Sequence, residues 1–281
     1  MTCSNISGGH MNIPRRAWTY FRESVFCVRA GAGWREKWKL LYATAAFHLR
    51  GCKGVIHEIA VNVGPLQARL KLRGDGGDMF IFHEVLGDQV YDVPPGVLRN
   101  EPKVIVDLGA NIGLSTLAFA GKYPTARIVC VEPHPENAKL LRNNVSCLGD
   151  RVQVIEAAIA DRPGNLRLAL APENYNASLV RQSDQGVEVR AVTMEQVMAE
   201  FGFDHIDLLK MDIEGAERLI LPLHPAWLKQ VDVILAELHD YSFADFQRDV
   251  ADAGLTVHGE GAAQAVAYRE PETQSNPFTS R

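Results

Sequence analysis

The chain has no run of about 18 consecutive apolar residues, so no segment is expected to cross a bilayer as a helix. It also lacks the pattern of a secretory signal, which leads us to expect a cytoplasmic location. Cysteine is scarce, and its five positions show no metal-like spacing. We therefore expect free, buried thiols at Cys3, Cys27, Cys52, Cys130 and Cys147.

Charge is distributed unevenly along the chain, although the net value is only −5. Residues 1–60 contain nine Lys or Arg and three Glu, and the rest of the chain is acidic. The acidic remainder of the chain argues against a nucleic-acid partner. The basic segment contains a predicted helix over 34–49, and we expect its aromatic residues to pack onto the rest of the protein. The alternative is peripheral docking on an anionic membrane surface or a partner. These residues are Trp18, Tyr20, Phe21, Phe26, Trp34 and Trp38.

The segment 104–113, with the sequence VIVDLGANIG, carries the most information about a ligand site. The β-branched run Val104 to Val106 predicts a buried parallel strand, and residues 114–122 predict the following helix. Gly109 and Gly113 then lie at a strand-to-helix crossover, where the backbone can approach a small molecule closely. This pattern predicts a nucleotide-type pocket.

The glycine spacing narrows the choice among NAD, FAD, a phosphate and S-adenosylmethionine. Asn111 occupies the position of the middle glycine in G-x-G-x-x-G, which disfavours a pyrophosphate. Asp107 would repel a phosphate but suits a cationic sulfonium. Glu132 ends the next apolar strand, where a carboxylate can accept both ribose hydroxyls. The small residues Ala157 and Ala158, at the end of the third strand, leave room for a flat adenine, or they serve tight helix packing.

These motifs resemble those of class I S-adenosylmethionine-dependent methyltransferases, and in particular the FkbM family, over roughly residues 78 to 240. The resemblance rests on Asp107 to Gly113, on Val131-Glu132-Pro133 and on KMDIEGAE at 210–217. It implies an α/β fold with a doubly wound, Rossmann-like sheet that is mostly parallel and has an antiparallel edge hairpin. It also implies O-methylation of a hydroxyl on a sugar, glycan or natural product, with S-adenosylmethionine as donor.

Four regions are expected along the chain. Residues 1–57 form a basic helical appendage whose first 11 or so residues are disordered, and residues 58–96 form a small β-meander. The methyltransferase domain spans 97–269, and 270–281 is a flexible tail. The meander strands are Glu58 to Val63, Gln67 to Arg73 and Met79 to Val85. The resemblance implies that this region covers the cofactor pocket, with Glu84 and Tyr91 as wall candidates.

Chemistry is expected where the fourth and fifth strands end. Residues 206–211 and 231–238 are these strands, and they bring five titratable side chains to one edge of the sheet: Lys210, Asp212, Glu214, Glu237 and His239. In one mechanism His239 or Asp212 is the general base, and Lys210 orients the acceptor or pairs with a carboxylate. In the other, Asp212, Glu237 and His239 bind Mg²⁺. The metal-free version is favoured because the spacing is not that of a known ligand set.

Three other expectations complete the interpretation. Glu217 is expected to be a first-turn carboxylate stabilised by the helix dipole. A hairpin over 166–170 and 187–192 is expected before a helix that begins at Thr193 with Gln196 as a capping box. The alternatives to a methyltransferase are a nucleotide-cofactor oxidoreductase and a non-catalytic scaffold that keeps the fold.

Overall fold

The computed structural model describes residues 13–49, 54–74, 77–170, 177–179, 186–259 and 264–270, with side chains from residue 17 onward except at 169–170 and 177–179. The predicted disorder of residues 1–11 and flexibility of the tail after Glu270 lie outside these ranges. Within the described chain, no helix combines the length and apolar character needed to span a bilayer.

The N-terminal region consists of two helices and a strand hairpin. Helix α1 (Ile13–Ala30) packs antiparallel to α2 (Trp34–His48), and strands β1 (Ile56–Val63) and β2 (Leu66–Arg73) pair antiparallel. A short helix α3 (Asp78–Phe82) continues into a π-helical turn at His83–Gly87. Cys27, Leu40 and Ile59 share one apolar core with Ile105 and Leu117 of the following domain. The N-terminal region is therefore packed against one face of the central sheet.

The third predicted meander strand is wrong, because residues 78–87 are helical. Asp78 is fully buried and its carboxylate accepts hydrogen bonds from the backbone and guanidinium of Arg73. This pair links the end of β2 to the start of α3. Met79, Phe82 and Val85 are then buried at a spacing of three, which is a helical rather than a strand period.

The catalytic region alternates strands and helices. In chain order its elements are β3 (Val104–Leu108), α4 (Leu114–Lys122), β4 (Arg127–Val131), α5 (Pro135–Asn144), β5 (Val152–Ile155), β6 (Ala158–Ile159), β7 (Gly164–Leu170), β8 (Ala177–Leu179), β9 (Val187–Val192), α6 (Met194–Phe201), β10 (Ile206–Met211), α7 (Glu217–Ile220), β11 (Val231–Glu237), α8 (Phe243–Ala251), β12 (Thr256–His258) and β13 (Gln264–Tyr268).

The central sheet has seven strands in the order β12-β13-β11-β10-β3-β4-β5. Five neighbouring strands are parallel to one another: β11, β10, β3, β4 and β5. Strand β13 pairs antiparallel with both β11 and β12. Strands β3, β4 and β10 are almost continuously buried because helices or other layers cover both faces. This confirms the predicted doubly wound, mostly parallel sheet with an antiparallel edge hairpin.

A second sheet, in the order β6-β9-β7-β8, stands beside the first. The predicted hairpin is confirmed as the antiparallel pair of β7 and β9. The predicted third strand is wrong as one continuous element, because the chain leaves the main sheet after Ile155 and Ala158 pairs with Ala191 instead. The polar connection from 174 to 185 lies largely outside the described residues, although the backbone of 177–179 forms β8.

Local signals account for several element boundaries. Thr193 and Gln196 form the predicted capping box at the start of α6. Ser242 caps α8 by accepting a hydrogen bond from the Asp245 amide. Cys27 and Cys130 are buried free thiols, as expected, whereas Cys147 is exposed because it lies on a surface turn after α5. Cys3 and Cys52 lie outside the described residues.

Candidate active site

The turn between β3 and α4 is shaped by close backbone contacts. Gly109 has a φ of 71°, and a Cβ placed there would lie 1.7 Å from the Asp212 carbonyl oxygen. Only glycine fits this contact, which brings the ends of β3 and β10 together. Asn111 also has a left-handed backbone, with φ at 50°, and its amide donates a hydrogen bond of 2.8 Å to Glu132 Oε2. The turn is thus tied to both neighbouring strands.

Gly113 has a packing role rather than the expected ligand contact. A Cβ at this position would lie 2.6 Å from a Leu141 methyl carbon and 2.9 Å from one of Val145. Its φ of 90° adds a second reason for glycine. Helix α5 can therefore pack closely over the turn only because residue 113 has no side chain.

Asp107 and Lys210 form a buried ion pair behind the turn. Lys210 Nζ lies 3.4 Å from Asp107 Oδ1 and donates a hydrogen bond of 2.7 Å to the Gly109 carbonyl. The hydroxyls of Ser115 and Thr116 both donate to Asp107 Oδ2. Burial opposes the charge of Lys210, but Asp107 and Asp212 together raise its pKa. The pair holds the glycine turn in place, and neither side chain lines the cofactor cleft, in contrast to the sequence-based expectation for Asp107.

Glu132 forms the polar wall of a cleft at the carboxyl edge of the sheet. Its carboxylate is 5% exposed and accepts hydrogen bonds from the Asn111 and His134 amides. Burial raises the pKa of Glu132 to about 7, against the lowering effect of these amides. Predicted cofactor residues that do line this cleft are Gly109, Asn111, Glu132, Pro133 and Ala158.

Asp212 and Glu214 line the same cleft at its other end. They follow β10, and Glu214 has a left-handed φ of 53° directly before Gly215. A left-handed conformation at a non-glycine residue is strained, and such residues cluster at functional sites. Burial raises the pKa of Glu214 to about 7, with a further contribution from Asp212.

His239 lies at the centre of a carboxylate cluster. Its Nε2 is 3.8 Å from carboxylate oxygens of Glu214 and Glu237 and 3.9 Å from Asp212 Oδ1. Although burial disfavours a charged ring, the nearby carboxylates of Glu217 and Asp212 raise the pKa of His239 to about 9. His239 is therefore positively charged near neutral pH. Burial and the charge of Asp212 raise the pKa of Glu237 to about 7.

Two side chains outside the predicted catalytic set support this cluster. Glu217, the buried first residue of α7, accepts a hydrogen bond from the Ile213 amide and lies 3.6 Å from His239 Nδ1. It is a first-turn carboxylate, as expected, but it also orients the imidazole. The Tyr91 hydroxyl donates to Asp212 Oδ2 at 2.8 Å and to Glu237 Oε2 at 3.3 Å. The wall residue proposed from the sequence thus contacts the carboxylates directly.

Two clusters among the described residues have three possible metal ligands within 4.8 Å of one another. One contains Asp212, Glu214 and His239, so Glu214 takes the place that the sequence analysis gave to Glu237. The other contains His205, Asp207 and Asp232. Its Asp207 already accepts hydrogen bonds from the Lys103 and Val104 amides, far along β10 from the cleft.

The family described as "Methyltransferase FkbM domain" matches residues 107–260, which include the glycine turn, Glu132 and the His239 cluster. The chain belongs to the FkbM methyltransferase family. The resemblance drawn from the three motifs is confirmed, and a nucleotide-cofactor oxidoreductase is not favoured. The protein is accordingly an S-adenosylmethionine-dependent methyltransferase.

Characterised relatives of this FkbM-family chain include O-methyltransferases. The 2-O-methyltransferase NoeI of Sinorhizobium fredii is 28% identical over 54% of this chain and 69% of its own length. The 31-O-demethyl-FK506 methyltransferase FkbM of Streptomyces tacrolimicus is 26% identical over 59% of this chain and 76% of its own length. The antimetabolite synthetase AmbE of Pseudomonas aeruginosa is 29% identical over 62% of this chain, but the matched part spans only 10% of AmbE.

The cleft of this methyltransferase fits its family's cofactor in three respects. The Glu132 carboxylate keeps acceptor capacity on Oε2, because the Asn111 amide takes only one of its lone pairs. Ala158 on the wall leaves space for a flat ring. Gly109 has no side chain, so its backbone lines the cleft while it packs against the Asp212 carbonyl. Glu132 would hold the ribose, and Asn111, Pro133 and Ala158 would surround the nucleoside.

Proposed function

We propose that this protein is an O-methyltransferase that acts on a hydroxyl group of a small-molecule or glycan acceptor. The observation that carries the proposal is that Asp212 and Glu214 line the cofactor cleft and also contact the charged His239. Cofactor and proton acceptor thereby meet at one edge of the sheet. The O-methyltransferases NoeI and FkbM among the relatives support this choice of acceptor atom.

When bound, S-adenosylmethionine supplies an electrophilic methyl group on a sulfonium. The residues of this chain must then place a hydroxyl oxygen beside that methyl group and remove its proton, and positioning alone contributes much of the rate. Tyr91, Glu217 and the Asp107–Lys210 pair are positioning residues, because they hold Asp212, His239 and the glycine turn respectively.

We assign the proton-accepting role to Glu214. It lines the cleft, its backbone is strained, and its pKa of about 7 lies near the value that suits a general base at neutral pH. His239, with its pKa near 9, is protonated there and cannot accept a proton. Its positive charge instead stabilises the surrounding carboxylates. This differs from the expectation that His239 or Asp212 is the base.

The pH dependence of methyl transfer distinguishes these assignments. Acceptors are found by screening sugars, glycans and polyketide alcohols for transfer of a labelled methyl group. With Glu214 as base, the rate rises up to about pH 7 and is then level, and Glu214→Gln lowers kcat by about 10²–10⁴-fold. With His239 as base, the rate continues to rise to about pH 9. Glu195→Gln, an exposed carboxylate on α6, is the matched control.

Binding of S-adenosylhomocysteine, measured by calorimetry, separates the cofactor site from the acceptor site. Glu214→Gln should retain this binding within a few-fold, because Glu132 and the glycine turn are unchanged. A wild-type protein that does not bind S-adenosylhomocysteine would refute the cofactor assignment. A protein that binds it but transfers no methyl group to any alcohol would support the scaffold alternative.

The proposed reaction does not require a divalent ion, because Glu214 can accept the proton and His239 supplies a positive charge among the carboxylates. Activity should be unchanged in EDTA. The Asp212, Glu214 and His239 donors could nevertheless hold Mg²⁺, which would lower the pKa of an acceptor hydroxyl. Loss of activity in EDTA that added Mg²⁺ restores would replace the general-base assignment with a metal mechanism.

A further inference from the structure

The N-terminal helix pair exposes an unusual number of aromatic side chains. Trp34, Trp38 and Tyr42 are 69%, 66% and 66% exposed, and their spacing of four residues places them on one side of α2. Leu49, directly after the helix, continues this side. On α1, the rings of Trp18 and Phe21 stack 5.8 Å apart and are also exposed. We call these six residues the outer aromatic patch.

The expectation that these aromatic residues pack onto the catalytic domain is wrong for Trp18, Phe21, Trp34 and Trp38. Phe26 is the contrasting case, since it packs against Phe82 with ring centroids 5.3 Å apart. Helices α1 and α2 already bury their inner sides, through residues such as Cys27 and Leu40. The patch is therefore an additional apolar surface, and large exposed patches of this kind mark sites of protein or membrane interaction.

The charges around the patch are predominantly positive. Residues 17–49 contain five Lys or Arg and two Glu, and both Glu are engaged: Glu23 with His48, and Glu36 with Lys39 and the Ala60 amide. Arg29, Arg35 and Lys37 have no carboxylate partner within the described chain. The Arg35 guanidinium lies 5.3 Å from the centre of the Trp34 ring, so a cation and an aromatic ring occur side by side on the surface.

We propose that the outer aromatic patch docks this protein on the surface of an anionic lipid bilayer. Tryptophan and tyrosine rings prefer the interfacial region of a bilayer, and neighbouring Lys and Arg side chains bind anionic headgroups. The acidic remainder of the chain would be repelled by the same surface. This opposition of charge orients the molecule with α1 and α2 toward the lipid.

Two other occupants fit the observations less well. A second copy of the chain would bring two basic surfaces together, because each copy contributes Arg29, Arg35 and Lys37. A single-stranded nucleic acid could stack on the aromatic rings, but it makes no use of the exposed aliphatic side chains of Leu49, Val55 and Ile56. Burial of aliphatic side chains in a lipid environment is energetically favourable.

The protein contains its own reporters for this proposal. Of its four tryptophans, Trp18, Trp34 and Trp38 are in the patch, and Trp227 is buried in the catalytic domain. The full-length protein is mixed with phosphatidylcholine vesicles that contain either no anionic lipid or roughly one-third phosphatidylglycerol. We expect flotation with the anionic vesicles only, a blue shift of tryptophan emission, and quenching by brominated lipid.

Substitutions at the patch test its residues directly. Trp34→Ala with Trp38→Ala should weaken vesicle binding at least about tenfold, and Arg35→Glu at least about fivefold. Leu223→Ala is the matched control, because Leu223 is 61% exposed but lies outside the patch. This variant should bind anionic vesicles as tightly as the wild type. Unchanged thermal unfolding and S-adenosylhomocysteine binding show that each variant is folded.

Four outcomes would overturn the proposal. One is that the protein binds neutral and anionic vesicles equally well, or binds neither. The second is a dimer in light scattering that the Trp34 and Trp38 substitutions dissociate. The third is tighter binding to a single-stranded oligonucleotide than to vesicles. The last is tryptophan emission that is already blue-shifted and protected from acrylamide in the absence of lipid, which would mean that another segment of this chain covers the patch.

Discussion

The cofactor half of the site, around Asp107 and Glu132, and the proposed acceptor half, around His239, both contain carboxylates, but these carboxylates have different partners. In the cofactor half, Asp107 is paired with Lys210, and Glu132 accepts two backbone amides. In the acceptor half, one imidazole lies 3.6–3.9 Å from four carboxylates. The first arrangement holds the backbone in one geometry, and the second can gain or lose a proton near neutral pH. The comparison suggests that stability depends chiefly on the first half and proton transfer on the second.

Lys210→Met should have the largest effect on stability. It leaves the buried Asp107 carboxylate without its cation, which is expected to lower the free energy of unfolding by about 3–5 kcal/mol. Urea unfolding measures the change, and Lys229→Met, at an exposed lysine, should be nearly neutral. In an Asp107→Asn background the loss should be much smaller. A loss below about 1 kcal/mol would show that the pair does not hold the turn.

Glu132→Gln should weaken S-adenosylhomocysteine binding roughly 10–100-fold, since hydrogen bonds to a charged group contribute about 1.5–3 kcal/mol each. The wild-type affinity should also fall as the pH decreases through about 7, because Glu132 then becomes protonated. The variant should lack this pH dependence. Calorimetry at several pH values measures both effects, and the exposed Glu136→Gln is the control. Unchanged affinity in Glu132→Gln would exclude its ribose role.

Because of His239, the free energy of unfolding should decrease as the pH becomes alkaline. Its pKa is higher in the folded protein, at about 9, than the ordinary 6.5. Its stabilising contribution is therefore complete below pH 6.5 and is lost as the pH rises through about 9. After a discount for solvent screening, we expect this loss in the free energy of unfolding to be about 1–2 kcal/mol. Denaturant unfolding of His239→Gln should lack this decrease. The raised pKa values of Glu214 and Glu237 lower stability between pH 4.5 and about 7, and that decrease should remain in the variant.

Tyr91→Phe should have the smallest effect of the four. It removes the hydroxyl that donates to Asp212 and Glu237 and should reduce stability by about 1 kcal/mol. It should also raise the pKa of Glu237 further above its ordinary value, because that charged carboxylate loses a donor. Tyr123→Phe, at a tyrosine outside the cluster, is the matched control for the stability change. A Glu237 pKa that stays unchanged in an NMR titration would mean that Tyr91 only packs beside the site.

Local sequence signals predicted the elements that depend on near neighbours. The capping box at Thr193 and Gln196, the glycine turn at 109–113 and strand β10 each follow from residues that lie close together in the chain. The segment after β2 is helical rather than the expected strand, and the buried Arg73–Asp78 pair at its start is a side-chain contact that local propensity does not encode. Gly113 packs against Leu141 rather than lining the cofactor cleft, and this contact is made only when α5 packs over the turn.

The sequence by itself determined the family, the doubly wound sheet and the residues that reach its carboxyl edge, because strand ends and glycine turns are written in consecutive residues. Only the tertiary structure decided which of those residues face the cleft. Asp107 and Lys210 lie behind the turn, and Glu214 and His239 lie beside each other although they are 25 positions apart. The tertiary structure also decided that Trp18, Phe21, Trp34 and Trp38 are exposed to solvent while Phe26 packs inward. The reason is physical: burial, pairing and pKa shifts depend on distances between side chains from different elements, and those distances exist only in the folded chain.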